Sequence, residues 1–267
     1  MIRPMDEFFS GRKLYGDDFT PQEIEAWYRD EQEGYASLSH NDARTPVYVY
    51  HYLNWLHGFR HLPGHDFADV LGVGSAFGEE FTPLLPRIKS LSILDPSDHY
   101  VRERIHGVPV RYVKPSSSGM MPFPDQTFDL ITCLGVLHHI PNVSLVMSEL
   151  FRCLKSGGYA LVREPIVSLG DWRKPRPALT KRERGIPALL LDELIVKAGF
   201  RVVQRTECMF PALARVFLKS GILPYNNKLL TRLDRFFSLL TRRNLLYHRQ
   251  SFLQKLGPSS IYYVLTR

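Results

Sequence analysis

Short apolar runs alternate with segments of helical spacing through the middle of the chain. The runs predict strands near residues 68–73, 91–95, 109–113, 128–134, 158–164, 201–207 and 261–266. The spacing between them predicts helices near residues 77–87, 97–105, 142–155 and 188–199. Because strands that alternate with helices pair in parallel, the pattern indicates an α/β fold whose sheet carries helices on both faces.

The first 66 residues precede this alternation and are expected to be helical. Thr20-Pro21-Gln22-Glu23 is a capping box with proline at the first helical position, which predicts a helix to about Tyr35. A second helix is expected from Thr45-Pro46. It carries an aromatic run: Tyr48, Tyr50, His51, Tyr52 and Trp55. The run could stack on a flat or sugar-like acceptor as a lid, or it could pack the helix on the sheet.

Residues 210–257 separate the last two predicted strands and are too long for an ordinary loop. Apolar residues with helical spacing alternate there with arginines: Leu229, Leu230, Leu233, Phe236, Phe237 and Leu240 with Arg232, Arg235, Arg242 and Arg243. This pattern predicts a basic amphipathic helix. It could lie on an anionic membrane surface, hold a phosphate-bearing acceptor, or pack on the domain with its charges in water.

The chain is therefore divided into three parts. Residues 1–66 form an N-terminal helical cap, residues 67–209 plus 258–267 form the core, and residues 210–257 form the basic insertion. The formal charge of +7 supports this division, because the insertion holds nine Lys or Arg and one acid, a net of +8. A smaller basic cluster consists of Arg173-Lys174-Pro175-Arg176 and Lys181-Arg182-Glu183-Arg184.

Composition also bounds the compartment. No apolar run approaches about 18 residues, and residues 1–13 lack the apolar core of a signal peptide. Cys133, Cys153 and Cys208 show no metal-ligand spacing and are expected to be reduced thiols. We therefore expect a cytoplasmic protein, or one peripheral to the inner face of a membrane.

A loop of small residues follows the first predicted strand. Gly74, Ser75, Ala76 and Gly78 would let a ligand approach the backbone at the carboxyl end of that strand. Asp95 lies 21 residues after Gly74, where an acid commonly binds ribose hydroxyls, although Asp95-Pro96 could instead begin a helix. The glycine spacing disfavours a nicotinamide cofactor, because Phe77 stands where the dinucleotide fingerprint has its third glycine.

Five phrases in order give residues 69–165 a resemblance to a known family. They are the glycine loop, the acid at Asp95, Pro122-Phe-Pro-Asp-Gln-Thr-Phe-Asp129, Val136-Leu-His-His-Ile-Pro141 and Leu154-Lys-Ser-Gly-Gly-Tyr-Ala-Leu-Val162. The segment resembles the core of class I S-adenosylmethionine-dependent methyltransferases of the small-molecule type, like methyltransferase domain family 11. The resemblance implies a Rossmann-like seven-stranded sheet, mostly parallel, with an antiparallel last strand at its edge.

The resemblance also implies S-adenosyl-L-methionine as cofactor. The residues carried over to the cofactor site are Gly72, Gly74, Ser75, Gly78, Asp95, Pro96, Ser117, Leu134 and Gly135. Two of them depart from the family pattern. Gly72 stands where the family usually has an acid, and Ser117 stands where an Asp often faces the adenine amino group. A non-catalytic scaffold on a degenerate fold therefore stays open.

Two histidines after the fourth core strand are candidates for proton transfer. The resemblance places His138 and His139 beside the expected methyl position, and imidazole suits a general base near neutral pH. His139 is our first choice. Glu164, at the end of the next strand, could orient a histidine or act on the acceptor. Alternatively, His-His-Ile-Pro is only a helix-start phrase common in the wider family. No metal centre is expected.

These features predict methyl transfer to a hydroxyl of a small molecule, a glycan or a lipid-linked sugar. An RNA methyltransferase is an alternative suggested by the basic patches, but no Asn-Pro-Pro-Tyr-like phrase follows the fourth strand, so nucleic acid is a less favoured partner. The sequence leaves the acceptor and the oligomeric state open.

Overall fold

The structure is a computed structural model that describes residues 5–39, 47–176 and 179–267. The helices within those ranges are α1 (Met5–Phe9), α2 (Pro21–Ser39), α3 (His51–His57), α4 (Val143–Cys153), α5 (Ala188–Ala198), α6 (Pro211–Leu218) and α7 (Lys228–Leu240). The strands are β1 (Phe67–Val73), β2 (Ile88–Leu94), β3 (Arg104–Ile105), β4 (Val108–Val113), β5 (Phe128–Leu134), β6 (Leu154–Pro165), β7 (Arg201–Cys208) and β8 (Ser260–Thr266). None of the described helices is both long and apolar enough to span a bilayer.

The strands form one sheet in the order β3-β4-β2-β1-β5-β6-β8-β7. It is mostly parallel, and β8 is antiparallel to both of its neighbours. The predicted Rossmann-like α/β sheet is confirmed, with one strand more than expected because the two-residue β3 pairs with β4. The prediction that the last strand lies at the edge is wrong. All seven residues of β8 are buried, and β7 takes the edge instead.

Two of the predicted core helices do not form. The segment 77–87 folds into two 3₁₀ turns, Glu79–Phe81 and Leu85–Arg87, because Gly78 is left-handed and Pro83 and Pro86 lack the N–H that a helix needs. The segment 97–105 forms one 3₁₀ turn, Asp98–Tyr100, and then β3. His106 and Gly107 both have positive φ, which is the geometry of a tight hairpin turn between β3 and β4.

Helices α2 and α5 show the end signals that the sequence predicts, whereas α1 and α6 were not predicted. The capping box before α2 is present, since the Thr20 N–H donates to Glu23 Oε2 at 2.8 Å and the Glu23 N–H donates to Thr20 Oγ1 at 3.4 Å. Helix α5 ends at Gly199, which is left-handed as a helix C-terminus commonly requires. Thr45-Pro46 lies outside the described residues, and α3 begins at His51.

Apolar side chains cover both faces of the sheet. Neighbouring strand residues alternate between two buried clusters, so that Leu71 packs with α4 and α5 whereas Val70 packs on the side of α3. On the α3 side, Tyr50 of the aromatic run lies over the Arg163 guanidinium, 4.2 Å from ring centroid to Cζ, and stacks with Tyr225. Tyr50 therefore packs on the sheet, as the second interpretation expected, whereas Trp55 of the same run is exposed.

Candidate active site

A cavity of about 640 Å³ lies at the carboxyl ends of the central strands. Residues just after β1, β2, β4 and β5 form its floor, which is where a parallel sheet binds ligands. Helix α2 contributes Trp27, Tyr28 and Glu31 to the opposite wall. The cap over the cavity thus comes from α2, because none of the aromatic residues at 48–55 lines it.

The predicted cofactor residues divide into two groups. Gly74, Asp95, Pro96, Ser117 and Gly135 line the cavity. Among the described residues, its wall does not include Gly72, Ser75, Gly78 or Leu134. Those four residues lie in or beside the glycine loop and the ends of β1 and β5. There they support the backbone of the residues that line the cavity.

Gly74 is required for the close packing of the loop. It has φ +61°, and a Cβ there would lie 2.6 Å from Cγ2 of Val136. Its N–H donates to the Leu94 carbonyl at 2.8 Å, which ties the loop to the end of β2. At Gly72 the space of a side chain is already taken, because a Cβ would lie 2.3 Å from Ser75 Oγ. The acid that the family usually carries there has no room.

Asp95 is held at the rim of the cavity by two backbone donors. Its Oδ2 accepts from the Ala76 N–H at 3.1 Å, and its Oδ1 accepts from the Ser97 N–H at 3.0 Å. Burial raises the pKa of Asp95, and the two N–H groups oppose that rise. Ser97, not Asp95, caps the following 3₁₀ turn. The carboxylate is thus fixed, with further lone pairs available to ribose hydroxyls.

An amide that the sequence did not single out lies beside the serine run. Asn142 lines the cavity, and its Nδ2 donates to the Ser118 carbonyl at 2.6 Å. Its buried Oδ1 has no hydrogen-bond partner among the described residues. An unpaired buried acceptor is costly unless a ligand or water satisfies it. Asn142 therefore supplies an acceptor near Ser117, where this chain lacks the Asp of the family pattern.

His139 lines the cavity and is oriented from α2. Its Nδ1 lies 2.9 Å from Oε2 of Glu31, and its carbonyl accepts from the indole N–H of Trp27 at 2.7 Å. Burial and the neighbouring charge of His138 lower the pKa of His139, although Glu31 opposes them. A neutral ring that faces a ligand cavity can accept a proton at neutral pH.

His138 has a different environment, behind the cavity wall. Its Nδ1 lies 2.8 Å from Glu164 Oε2, and its Nε2 lies 3.5 Å from Glu183 Oε1. Burial by itself would lower the pKa of His138, but these carboxylates outweigh it and raise the pKa to about 9. His138 is therefore a cation at neutral pH. Glu164 also accepts from the N–H groups of residues 136–138, so it holds the whole turn.

The ion pair between His138 and Glu164 makes the stability of the protein depend on pH. Because the folded pKa of His138 is about 9 against an ordinary 6.5, its stabilisation is complete below pH 6.5 and is lost as the pH rises through 9. Over that window the free energy of unfolding should fall by on the order of 3 kcal/mol more in the wild type than in His138→Gln. Urea denaturation at a series of pH values measures both slopes, and parallel slopes would contradict the assignment.

Arg184 holds the histidine turn in place and was missed by the sequence analysis. The sequence places it in a basic cluster of the kind usually found on the surface, yet its side chain is fully buried. Its guanidinium donates to five carbonyls: Tyr15, Leu137, His138, Ile140 and Pro141. It thereby joins the N-terminal segment to the turn that carries both histidines.

The described residues contain a group that could hold a metal, which the sequence did not predict. The ligand atoms of His138, His139 and Glu183 all lie within 4.8 Å of one another. However, both ring nitrogens of His138 already face carboxylates, which suits a protonated ring, whereas metal ligation needs a neutral one. The geometry favours a hydrogen-bonded network of acids and imidazoles over a metal centre.

Comparison with known proteins agrees with this architecture. Residues 71–162 match the family model described as "Methyltransferase domain". The UbiE ubiquinone/menaquinone biosynthesis C-methyltransferase of Xanthomonas campestris pv. campestris is 42% identical over 55 residues, 21% of this chain and 22% of that protein. A probable S-adenosylmethionine-dependent methyltransferase of Mycolicibacterium smegmatis is 25% identical over 177 residues, 66% of this chain and 60% of that protein.

A solved structure shows the same fold. The S-adenosylmethionine-dependent methyltransferase from Mesorhizobium loti has a TM-score of 0.52 at 14% identity, covering 78% of this chain and 94% of that one. The chain spans between 22% and 60% of the length of the two curated relatives. Residues 71–162 thus match a methyltransferase domain, and the sheet has the Rossmann-like fold of S-adenosylmethionine-dependent methyltransferases, as the sequence predicted. S-adenosylmethionine is the cofactor that this likeness implies.

Proposed function

We propose that the protein transfers a methyl group from S-adenosylmethionine to a hydroxyl of a small molecule, a glycan or a lipid-linked sugar. The observation that carries the proposal is His139, a neutral imidazole in the cavity wall whose Nδ1 is held by Glu31 at 2.9 Å. When bound, the cofactor supplies an electrophilic methyl group. The chain must then align the acceptor and remove its proton.

The residues at the carboxyl ends of β1 and β2 fit the cofactor. Gly74 gives a close approach to the backbone, and Asp95 can accept hydrogen bonds from ribose hydroxyls. Asn142 offers the unpaired Oδ1 to an amino group, next to Ser117. These features account for the two positions, Gly72 and Ser117, at which the chain departs from the family pattern. The acid missing at Gly72 is excluded by packing, and the acid missing at Ser117 is replaced by a nearby amide.

The two histidines have separate roles in this proposal. An Nδ1–H on His139 that points to Glu31 makes Nε2 the atom that accepts the hydroxyl proton, and the Glu31 carboxylate then stabilises the imidazolium that forms. His138 is a positioning residue, because its charge keeps the pKa of His139 low and its ion pairs fix the turn. Glu164 acts through His138 rather than on the acceptor.

The protein is proposed to work in the cytoplasm. All three cysteines are free thiols and are buried, which suits a reducing compartment.

Cofactor binding can be tested first, without knowledge of the acceptor. Calorimetric titration with S-adenosylhomocysteine should show binding, and Asp95→Asn should weaken it about 10- to 100-fold, since a hydrogen bond to a charged group contributes about 1.5–3 kcal/mol. Asp66→Asn removes an exposed carboxylate and serves as the matched control. No binding by the folded wild-type protein would favour the scaffold alternative.

A further inference from the structure

Helix α7 turns three polar side chains inward and a stripe of apolar side chains outward. Thr231, Asp234 and Ser238 are completely buried. On the other side, Leu229, Phe236 and Leu240 are 65%, 58% and 70% exposed. With Leu233, which is also exposed, these residues are spaced by four, three and four, so they form one stripe along the helix. We call this stripe the outer face of α7.

Buried hydrogen bonds fix this orientation. The Asp234 carboxylate accepts from the N–H groups of Met209 and Phe210, at 2.9 and 2.7 Å, just before α6 begins. The Thr231 hydroxyl donates to the Pro224 carbonyl at 3.0 Å. Rotating α7 to bury its outer face would break these bonds and leave buried polar groups unpaired. The exposed stripe is therefore a fixed property of the fold.

The exposed charged side chains of residues 210–257 have one sign. Arg232, Arg242, Arg243 and Lys228 are exposed, and the only acid in residues 210–257 is the buried Asp234. Further large apolar side chains of the same segment are exposed: Val216, Leu218, Leu239, Phe252 and Leu253. Single exposed leucines are ordinary, whereas a continuous apolar stripe marks an interaction surface.

We propose that residues 210–257 dock on the surface of an anionic phospholipid bilayer through the outer face of α7. Apolar side chains enter the boundary between headgroups and acyl chains, and the flanking arginines bind the lipid phosphates. A second copy of this chain fits less well as the occupant, because it would bring an equally basic segment against this one. Docking does not depend on the proposed methyl transfer.

Vesicle co-sedimentation of the full chain tests the proposal. Binding to vesicles of phosphatidylcholine and phosphatidylglycerol in equal amounts should exceed binding to phosphatidylcholine alone by at least about tenfold in about 0.1 M salt. It should weaken as salt rises to about 1 M, where charges are screened within about 3 Å. Equal binding to both kinds of vesicle, or binding to neither, would overturn the proposal.

Two variants separate the apolar and the charged contributions. The apolar variant is Leu229→Ser/Phe236→Ser/Leu240→Ser. It should bind anionic vesicles at least about tenfold more weakly than the wild type. The charge variant is Arg232→Gln/Arg242→Gln/Arg243→Gln. It should bind anionic vesicles about 100-fold more weakly than the wild type. All of these side chains except Arg242 and Arg243 belong to α7, and none lines the cavity, so S-adenosylhomocysteine binding should stay as it is in the wild type.

Matched controls change equally exposed residues elsewhere. Leu189→Ser/Val196→Ser alters exposed apolar positions of α5, and Lys89→Gln/Arg111→Gln/Lys197→Gln alters exposed cations outside the insertion. Both controls should bind vesicles as the wild type does. If the apolar variant binds as tightly as the wild type, α7 is not the docking face. The membrane proposal also fails if the wild type does not bind vesicles and is a dimer in sedimentation velocity, while the apolar variant is a monomer. The outer face of α7 would then be a contact between two copies of the chain.

Discussion

His139→Ala is expected to lower turnover about 10²- to 10⁴-fold, the usual contribution of a positioned general base, while affinity for S-adenosylhomocysteine is retained. The reason is local, since the ring lines the cavity as a neutral imidazole and its backbone is held separately by Trp27. Initial rates with the acceptor found in a screen of hydroxylated glycans and glycolipids measure the effect. Retained cofactor affinity shows that the variant is folded.

A second substitution distinguishes orientation from simple packing. Glu31→Gln keeps a hydrogen-bond partner for His139 Nδ1 but removes the charge that raises the pKa of the ring. The acid limb of the pH–rate profile should therefore move to lower pH, and turnover should fall less than in His139→Ala. His65→Ala, which removes an exposed imidazole outside the cavity, should leave the rate unchanged. Unchanged turnover in His139→Ala would remove this residue from the mechanism.

Arg184→Met is expected to lower the free energy of unfolding by about 3–4 kcal/mol. The carbonyls of Tyr15 and Ile140 lose the one donor described for each, and an unpaired buried acceptor costs on the order of 1–3 kcal/mol before relaxation. The carbonyls of Leu137, His138 and Pro141 lose one of two donors. Urea denaturation at a fixed pH measures the loss. Arg184→Lys should recover only part of it, because an ammonium group cannot reach as many acceptors as the planar guanidinium fork.

The neighbouring Lys181 provides the control for Arg184. It is exposed and forms a surface ion pair with Asp30, so Lys181→Met should change the free energy of unfolding by less than about 1 kcal/mol. A similarly small change in Arg184→Met would mean that water replaces the guanidinium at the turn. The turn would then owe its position to Glu164 and Trp27 alone.

Local signals in the sequence predicted much of the fold. The capping box set the start of α2, Gly199 set the end of α5, and apolar runs located the strands, because each of these depends on residues within a few positions of one another. The same local logic failed for 77–87, where helical spacing was present but Gly78 and two prolines prevented the helix. Turn chemistry took precedence over periodicity there.

Only the part of the candidate site that lies in short sequence motifs could be predicted from the sequence. The sequence by itself determined the glycine loop, Asp95 and the histidine pair, since strand ends bring these phrases to one edge of the sheet. Only the tertiary structure decided which histidine is the cation. Glu31 lies 108 residues from His139 in the sequence. Glu183 contacts His138 from a basic cluster whose sequence predicts a surface position. The pKa values depend on such distant partners, which no local pattern encodes.

The insertion shows the same division. Its sequence determined a basic amphipathic helix, because the 3.6-residue period sets which side chains share a face. The period does not say which face turns inward. In α7 the Asp234 carboxylate turns inward and accepts from the N–H groups of Met209 and Phe210. Leu230 is also buried, whereas the outer face stays exposed, and only the folded chain brings these partners together.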